Sequence, residues 1–159
     1  MVHIRCAGTD DLEKIKDIVY RTIEKIYSRY YPEGAVSFFL SHHNENNIME
    51  DIKRQRVYIL ETSSECVGTV TIKGNGICRL FVLPDFQKKG YGRALLDFAE
   101  GEILAKEDRV CIDASFPAKG IYLRRGYKET EFHSIETENG DFLCYDVMEK
   151  KQRQEEKIC

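Results

Sequence analysis

Between Arg56 and Leu83 three apolar runs, RVYILET, CVGTVTIK and ICRLFVL, are joined by turns at Ser63-Ser64 and at Gly74-Asn75-Gly76. Such runs, rich in β-branched residues and separated by so few turn residues, pair with their immediate neighbours, because a parallel crossover needs far more chain. They predict an antiparallel meander. The third run ends at Pro84, and the spacing then turns helical, with Leu95, Phe98, Ala99 and Ile103 on one face. The stretch QKKGYGRALL, Gln87 to Leu96, joins the last strand to that helix. A sheet that hands over to a helix through two closely spaced glycines fixes the middle of the fold.

The flanks supply the rest. VHIRC alternates Val2, Ile4 and Cys6 against His3 and Arg5, the pattern of a half-buried strand. Asp10 with Glu13 three residues on fits a capping box, and Leu12, Ile15, Ile18, Val19, Ile23 and Ile26 form a helical stripe that breaks at Pro32. Val36, Phe39, Leu40 and His43 repeat the spacing, as do Ile48 and Ile52, so short helices precede the meander. Beyond the glycine turn and its helix, RVCIDA is continuously apolar in the manner of a strand buried on both faces. FPAKGIYLRRG reads as a short helix with Gly126 as its C-cap, and the last stretch is two strands around Asn139-Gly140, a strong hairpin signal. The order β-α-α-β-β-β-α-β-α-β-β predicts an α/β (α+β) fold: a mixed, mostly antiparallel central sheet of about seven strands flanked by helices. It forms one domain over residues 1–150, followed by a charged tail, 151–159.

Composition narrows the function classes. In 159 residues, 42% are hydrophobic and 32% charged, which suits a globular core and argues against disorder. A net charge of −3 gives no basic surface for nucleic acid or a membrane. No apolar stretch approaches the ~18 residues of a membrane span, and MVHIRCAGTDD does not read as a signal peptide, so a cytoplasmic location is expected. Six cysteines contain no C-x-x-C pair and fall mostly in or beside strand-like runs, as small buried thiols in a reducing compartment would. His42-His43 is the only histidine pair, and neighbours on a helix point about 100° apart, which is poor geometry for one metal. No metal is expected.

The glycine turn carries chemistry. A helix start leaves its first amides unpaired and holds positive partial charge, and glycine lets an anion approach the backbone. Lys88, Lys89 and Arg93 add charge around it, making a candidate phosphate cradle. A P-loop would need Lys and Ser or Thr after the second glycine, where Arg93 and Ala94 stand; a dinucleotide fingerprint would need glycine at Leu95. Neither fits. The alternative, a plain strand-to-helix turn, is open for the fragment alone.

Two motifs in this order of elements resemble the GNAT superfamily of acyl-CoA-dependent N-acyltransferases over nearly the whole length. The family's [QR]-x-x-G-x-[GA] matches Gln87-Lys88-Lys89-Gly90-Tyr91-Gly92, and its second signature matches SFPAKGIYLRRGY, with Ala118, Tyr122, Gly126 and Tyr127 in register. The resemblance implies that backbone groups of Phe81, Val82 and Leu83 pair with the pantetheine arm of acetyl-CoA, a cosubstrate. It implies that Gln87 opens the loop whose amides, from Lys88, Lys89, Gly90, Tyr91, Gly92 and Arg93, hold the pyrophosphate. Ser115, Ala118 and Tyr122 would line the other side of the cofactor, with Arg124 reaching a phosphate; Ser115 stands where the family commonly has Asn.

Transfer of an acetyl group from a thioester to an amine needs a neutral amine, support for the carbonyl oxygen and a proton for the leaving thiolate. The resemblance gives the acid role to Tyr122 and the oxygen to an amide near Val82, in a direct attack on the thioester. Some relatives carry a glutamate early in the fourth strand, but GICRL has no carboxylate there. Glu61 and Asp113 are the nearby carboxylates, and no base is assigned. Tyr30, Tyr31, Phe38 and Phe39 are candidates for lining an acceptor pocket. Two readings follow: an acetyltransferase acting as monomer or homodimer on an amine of a small molecule or protein, or a non-catalytic acyl-CoA-binding module.

Overall fold

A computed structural model describes residues 1–152; the rest of the charged tail lies outside the described residues. The chain forms strands β1 (His3–Cys6), β2 (Val57–Glu61), β3 (Cys66–Lys73), β4 (Gly76–Val82), β5 (Arg109–Ala114), β6 (Lys128–Glu136) and β7 (Phe142–Lys151). The helices are α1 (Leu12–Ile26), α2 (Glu33–His42), α3 (Glu45–Lys53), α4 (Tyr91–Leu104) and α5 (Phe116–Arg124). One seven-stranded sheet runs in the order β1-β2-β3-β4-β5-β7-β6. All neighbours are antiparallel except β4 and β5. The meander and the terminal hairpin are as the turn residues require. Three helices rather than two precede β2, because Asn44 caps a separate α3 by accepting from the Asn47 amide at 2.9 Å.

The start of α1 departs from the expected cap. Asp11, not Asp10, closes the box: its Oδ2 accepts from the Gly8 amide at 2.8 Å, and a short 3-10 turn, Thr9–Asp11, leads into the helix. Buried Asp11 also takes two hydrogen bonds from Arg5, each 2.9 Å, and Arg5 reaches on to Glu61 at 2.9 Å. One guanidinium thus ties β1, the α1 cap and β2 together.

Apolar side chains pack on both faces of the sheet. On one, Leu60, Val70, Ile77, Val82, Val110, Ile112 and Met148 meet Leu95, Leu96, Ala99 and Ile103 of α4. On the other, Val57, Ile59, Phe81 and Leu83 meet the α1 stripe and Ile48 and Ile52 of α3. Strand β5 does not have two buried faces as its apolar run suggested. Val110, Ile112 and Ala114 are buried, but Cys111 is half-buried and Asp113 exposed. Nor are the thiols deeply buried: Cys6 is exposed and Cys66, Cys78, Cys111 and Cys144 are half-buried and free. Lys151, assigned to the tail by charge, pairs with Arg109 as the last residue of β7.

Strand β4 positions the site. Thr69 pairs with Phe81 and Thr71 with Cys78, so Val70 alone faces both Arg79 and Leu80. This is a β-bulge, and Arg79 sits in it at φ 44°. A bulge bends its strand, and β4 parts from β5 at that point: the two pair only at Gly76–Cys111 and Ile77–Ile112. Beyond them the sheet opens.

Candidate active site

The opening between β4 and β5 exposes backbone that elsewhere would be paired. The Leu83 amide donates to the Val67 carbonyl at 2.8 Å, and Phe81 faces Thr69 in the same ladder. Alternation along the strand therefore turns the Val82 amide away from β3 and into the opening. The Val82 carbonyl is engaged by the Gln87 side-chain amide at 3.0 Å and by the Thr22 hydroxyl at 3.3 Å. Gln87 thereby fixes the loop to the end of β4. Of the three residues expected to pair with an extended arm, Val82 offers its amide, while Leu83 and Phe81 direct theirs to β3.

The loop that follows is shaped at two positions. Lys88 has φ 62° and Gly90, the N-cap of α4, has φ 88°. A left-handed residue costs about 1–2 kcal/mol when it is not glycine, so Lys88 is held there by its surroundings. Lys89 between them lays its ammonium over the Phe86 ring, 5.2 Å from the centroid. The Ala94 amide bonds to the Gly90 carbonyl at 3.0 Å, so the amides of Tyr91, Gly92 and Arg93 precede the first helical bond. A glycine N-cap has no side chain to occupy them. A Cβ at Gly90 would meet nothing within 4 Å, and one at Gly92 only Val82 Cγ2 at 3.9 Å. The approach to these amides is open, and Lys88, Lys89 and Arg93 are exposed around it.

Across the opening stands α5. Ser115 is its N-cap but makes no side-chain cap; its buried hydroxyl accepts from the Tyr27 phenol at 3.3 Å. The Phe116 amide, one of the unpaired groups of this helix start, donates instead to the Tyr31 hydroxyl at 2.8 Å. Tyr31 stacks on Phe116 and packs edge-on to Phe39. Ala118 packs against the core, and Arg124 is exposed. Tyr122 is 5% exposed and has no hydrogen-bond partner among the described residues. Burial, and secondarily the neighbouring Tyr27 phenol, push its hydroxyl well above an ordinary phenol. It keeps its proton throughout the neutral range.

Of the aromatic candidates for an acceptor wall, Tyr31 is buried in structural contacts, Phe39 packs on Tyr27, and Tyr30 is 54% exposed. Phe38 stacks on His42, which sits edge-on to His43. Glu61 is tied to Arg5, which removes it from the chemistry. Arg79 is a site-side residue that sequence spacing did not select. Buried in the bulge, it pairs with Asp51 at 2.6 Å, and its Nε donates to His43 Nδ1 at 3.2 Å. Burial raises the Asp51 carboxyl, but hydrogen bonds from Arg79 and Lys73 outweigh that and hold it low. Burial and the Arg79 charge press His43 down to about 3. His43 is thus neutral, with Nδ1 accepting and its proton on Nε2, a donor rather than a base. A charged residue inside the apolar run ICRLFVL was the signal for Arg79. Thr22, the polar member of the α1 stripe, was the signal for the Val82 contact.

A mixed sheet opened at a bulge, with the unpaired amides of the α4 start beside it, leaves backbone groups available to an extended ligand. Comparison with known proteins names the class. Residues 26–150 match the model of the acetyltransferase (GNAT) domain, and the chain belongs to the GNAT acetyltransferase family. The uncharacterized N-acetyltransferase YafP of Escherichia coli is 22% identical over 151 residues, covering 95% of this chain and 97% of that protein. A GCN5-related N-acetyltransferase from Rhodopseudomonas palustris superposes with a TM-score of 0.86 at 24% identity, covering 94% of this chain and 95% of the other. The PaiA N-acetyltransferase of Thermoplasma acidophilum, solved with coenzyme A, gives 0.75 at 21% identity over 96% and 99%. The fold is the one the two motifs implied.

Proposed function

We propose that the protein moves an acetyl group from acetyl-CoA to an amine, with Tyr122 protonating the leaving sulfur. The observation that carries this reading is the pairing of an open amide cradle, Tyr91 to Arg93, with the opening between β4 and β5 beside it. The donor class is supported by PaiA, which was solved with coenzyme A, and by YncA of Salmonella typhimurium, solved with acetyl-CoA.

The residues fit such a molecule. Pyrophosphate oxygens would accept from the amides around Gly90 and Gly92, where no side chain intervenes. The pantetheine arm would lie along β4 in the opening, in the place of the missing strand neighbour. The thioester would then lie between β4 and α5, the helix that carries Tyr122. The Val82 amide supports the carbonyl oxygen as charge develops on it. Tyr122 gives its proton to sulfur as the C–S bond breaks, and recovers one as the nitrogen becomes an amide. A buried phenol that stays protonated at neutral pH suits that role.

Amine-dependent release of CoA thiol, followed with a thiol reagent over a panel of primary amines, tests the activity. Turnover with at least one amine is expected. Binding of acetyl-CoA without release for any amine would replace the enzyme by a binding module.

A further inference from the structure

Arg79 is the one charged residue in the run ICRLFVL, and it stands where the strand breaks its alternation. Ile77 packs on the α4 side of the sheet, and Cys78, paired with Thr71, turns to the other. Simple alternation would then send Arg79 into the apolar core under α4. The bulge prevents this. It keeps Arg79 on the same side as Cys78, and alternation resumes beyond it. Leu80 and Val82 pack with the α4 core, Phe81 and Leu83 with the core on the other face.

On that other face the guanidinium has three partners. Nη2 pairs with Asp51 of α3 at 2.6 Å, Nε donates to Nδ1 of His43, the C-cap of α2, at 3.2 Å, and Nη1 donates to the Thr71 hydroxyl at 3.3 Å. The Arg79 and Asp51 side chains are 5% and 4% exposed. Yet the backbone of Arg79 is left-handed, φ 44°, at the bulge position that glycine normally takes. A residue other than glycine holds that conformation only when its surroundings compel it. Here the compelling feature is the set of side-chain partners, which a glycine could not engage.

Packing alone does not choose this register. If β4 ran without the bulge, each side chain from position 79 onward would take the place that its successor holds now. Leu80 would move to the place of Phe81, Phe81 to that of Val82, and Val82 to that of Leu83. All of these are apolar, on both faces. Fitting Phe81 into the smaller place of Val82 opposes the slip, and relief of the left-handed residue favours it, two effects of similar size. Burying an unpaired guanidinium in the α4 core has no such offset. The charge decides.

We infer that Arg79 is a positioning residue: its ion pair with Asp51 sets the register of β4 and thereby turns the Val82 amide into the opening. The consequence for activity rests on the acetyl-transfer reading above, in which that amide supports the thioester carbonyl. In the slipped register Val82, not Leu83, would donate to the Val67 carbonyl, and the Leu83 amide would face away from β3. Setting a register is the best-attested use of a buried ion pair, which is otherwise a weak source of stability.

The test is the double variant Arg79→Val/Asp51→Asn, which removes both charges together so that neither stays buried alone. The asparagine still offers an oxygen to Lys73, now 3.1 Å from the carboxylate, and a β-branched valine resists positive φ. Amide hydrogen exchange, followed by NMR on the ligand-free proteins, reads the register. In the wild type Leu83 should be slow and Val82 fast. In the double variant the two should trade places, and the rise in melting temperature with acetyl-CoA should be lost while the melting temperature itself changes little. Arg79→Lys keeps the charge and should keep the wild-type pattern. An unchanged pattern in the double variant, or a swapped one in Arg79→Lys, would overturn the inference. A double variant that no longer unfolds cooperatively would overturn it too, since the pair would then serve stability. A swapped pattern with an undiminished acetyl-CoA rise would overturn the link from register to site. If the wild type shows no rise with acetyl-CoA, the transfer reading fails on its own, and Val82 and Leu83 still decide the register.

Discussion

Tyr122 shows how much one side chain decides. Its ring is packed between α5 and the core and lies 5.6 Å from the Tyr127 ring, so Tyr122→Phe should leave the fold and the cofactor contact intact. What goes is the proton. Turnover should fall tenfold or more, against a general-acid contribution of ~10²–10⁴, with acetyl-CoA affinity within a few-fold. Affinity lost in step with turnover, measured by calorimetry alongside steady-state rates, would make the hydroxyl an anchor instead. Gly92 is the complementary case. A Cβ there fits the protein, since Val82 Cγ2 stands 3.9 Å away, so Gly92→Val should keep the melting temperature within a few degrees. The same Cβ and its methyls stand over the amides of the helix start. The rise in melting temperature with CoA should disappear, and an undiminished rise would show that phosphate is held elsewhere.

At the scale of elements, the Arg5 link sets a pH dependence. Hydrogen bonds from Arg5, working against burial, bring the Asp11 carboxyl from 3.8 to about 2. A carboxyl depressed by folding lends stability that is full above its unfolded value. That stability drains away as pH falls from about 4 through 2, an effect of about 2 kcal/mol. Asp11→Asn should therefore be less stable than the wild type at pH 7, with the gap in urea midpoint closing by pH 2. A gap that persists in acid would mean that packing, not charge, carries the cap. At the other end of the sheet, α2 is seated on the hairpin. The Gly34 amide donates to Asp141 Oδ2 at 2.8 Å, and a Cβ on Gly34 would collide with Asn139. The turn between β6 and β7 thus holds α2 against the sheet.

The whole molecule is a sheet in two parts, joined at the backbone between β4 and β5 by only two residue pairs and beneath them by the α4 core. A ligand lying in the opening spans both parts. CoA or acetyl-CoA at a hundredfold excess over its Kd should stabilise the fold by about 2.7 kcal/mol, and the melting temperature should rise accordingly. ATP and NAD at equal concentration offer phosphates but no pantetheine arm, and should do much less. Hydrogen exchange gives the place: CoA should slow the Val82 amide, which faces the opening. An equal rise with ATP, or no change at Val82, would locate binding outside the opening.

The meander, the amphipathic α1 and α4, and the terminal hairpin were legible in the residues themselves. Each rests on local periodicity and turn chemistry that neighbouring residues impose on one another. The glycine turn at the start of α4 was legible for the same reason, since the conformations of Lys88 and Gly90 belong to a short stretch of chain. The capping partner of α1 was misplaced by one residue, because Arg5 recruits Asp11 from another element and local spacing cannot register that. The two-faced burial expected of β5 failed on a similar ground. Its apolar letters describe composition, whereas exposure of Asp113 follows from the bulge that parts β4 from β5. That bulge places Arg79 against Asp51 and His43, residues far apart in the chain, and fixes which ring nitrogen of His43 bears the proton. The sequence alone determined the strands, their order along the chain and the family. Only the tertiary structure decided where the buried charges find partners and which amides face the opening, because both depend on long-range register.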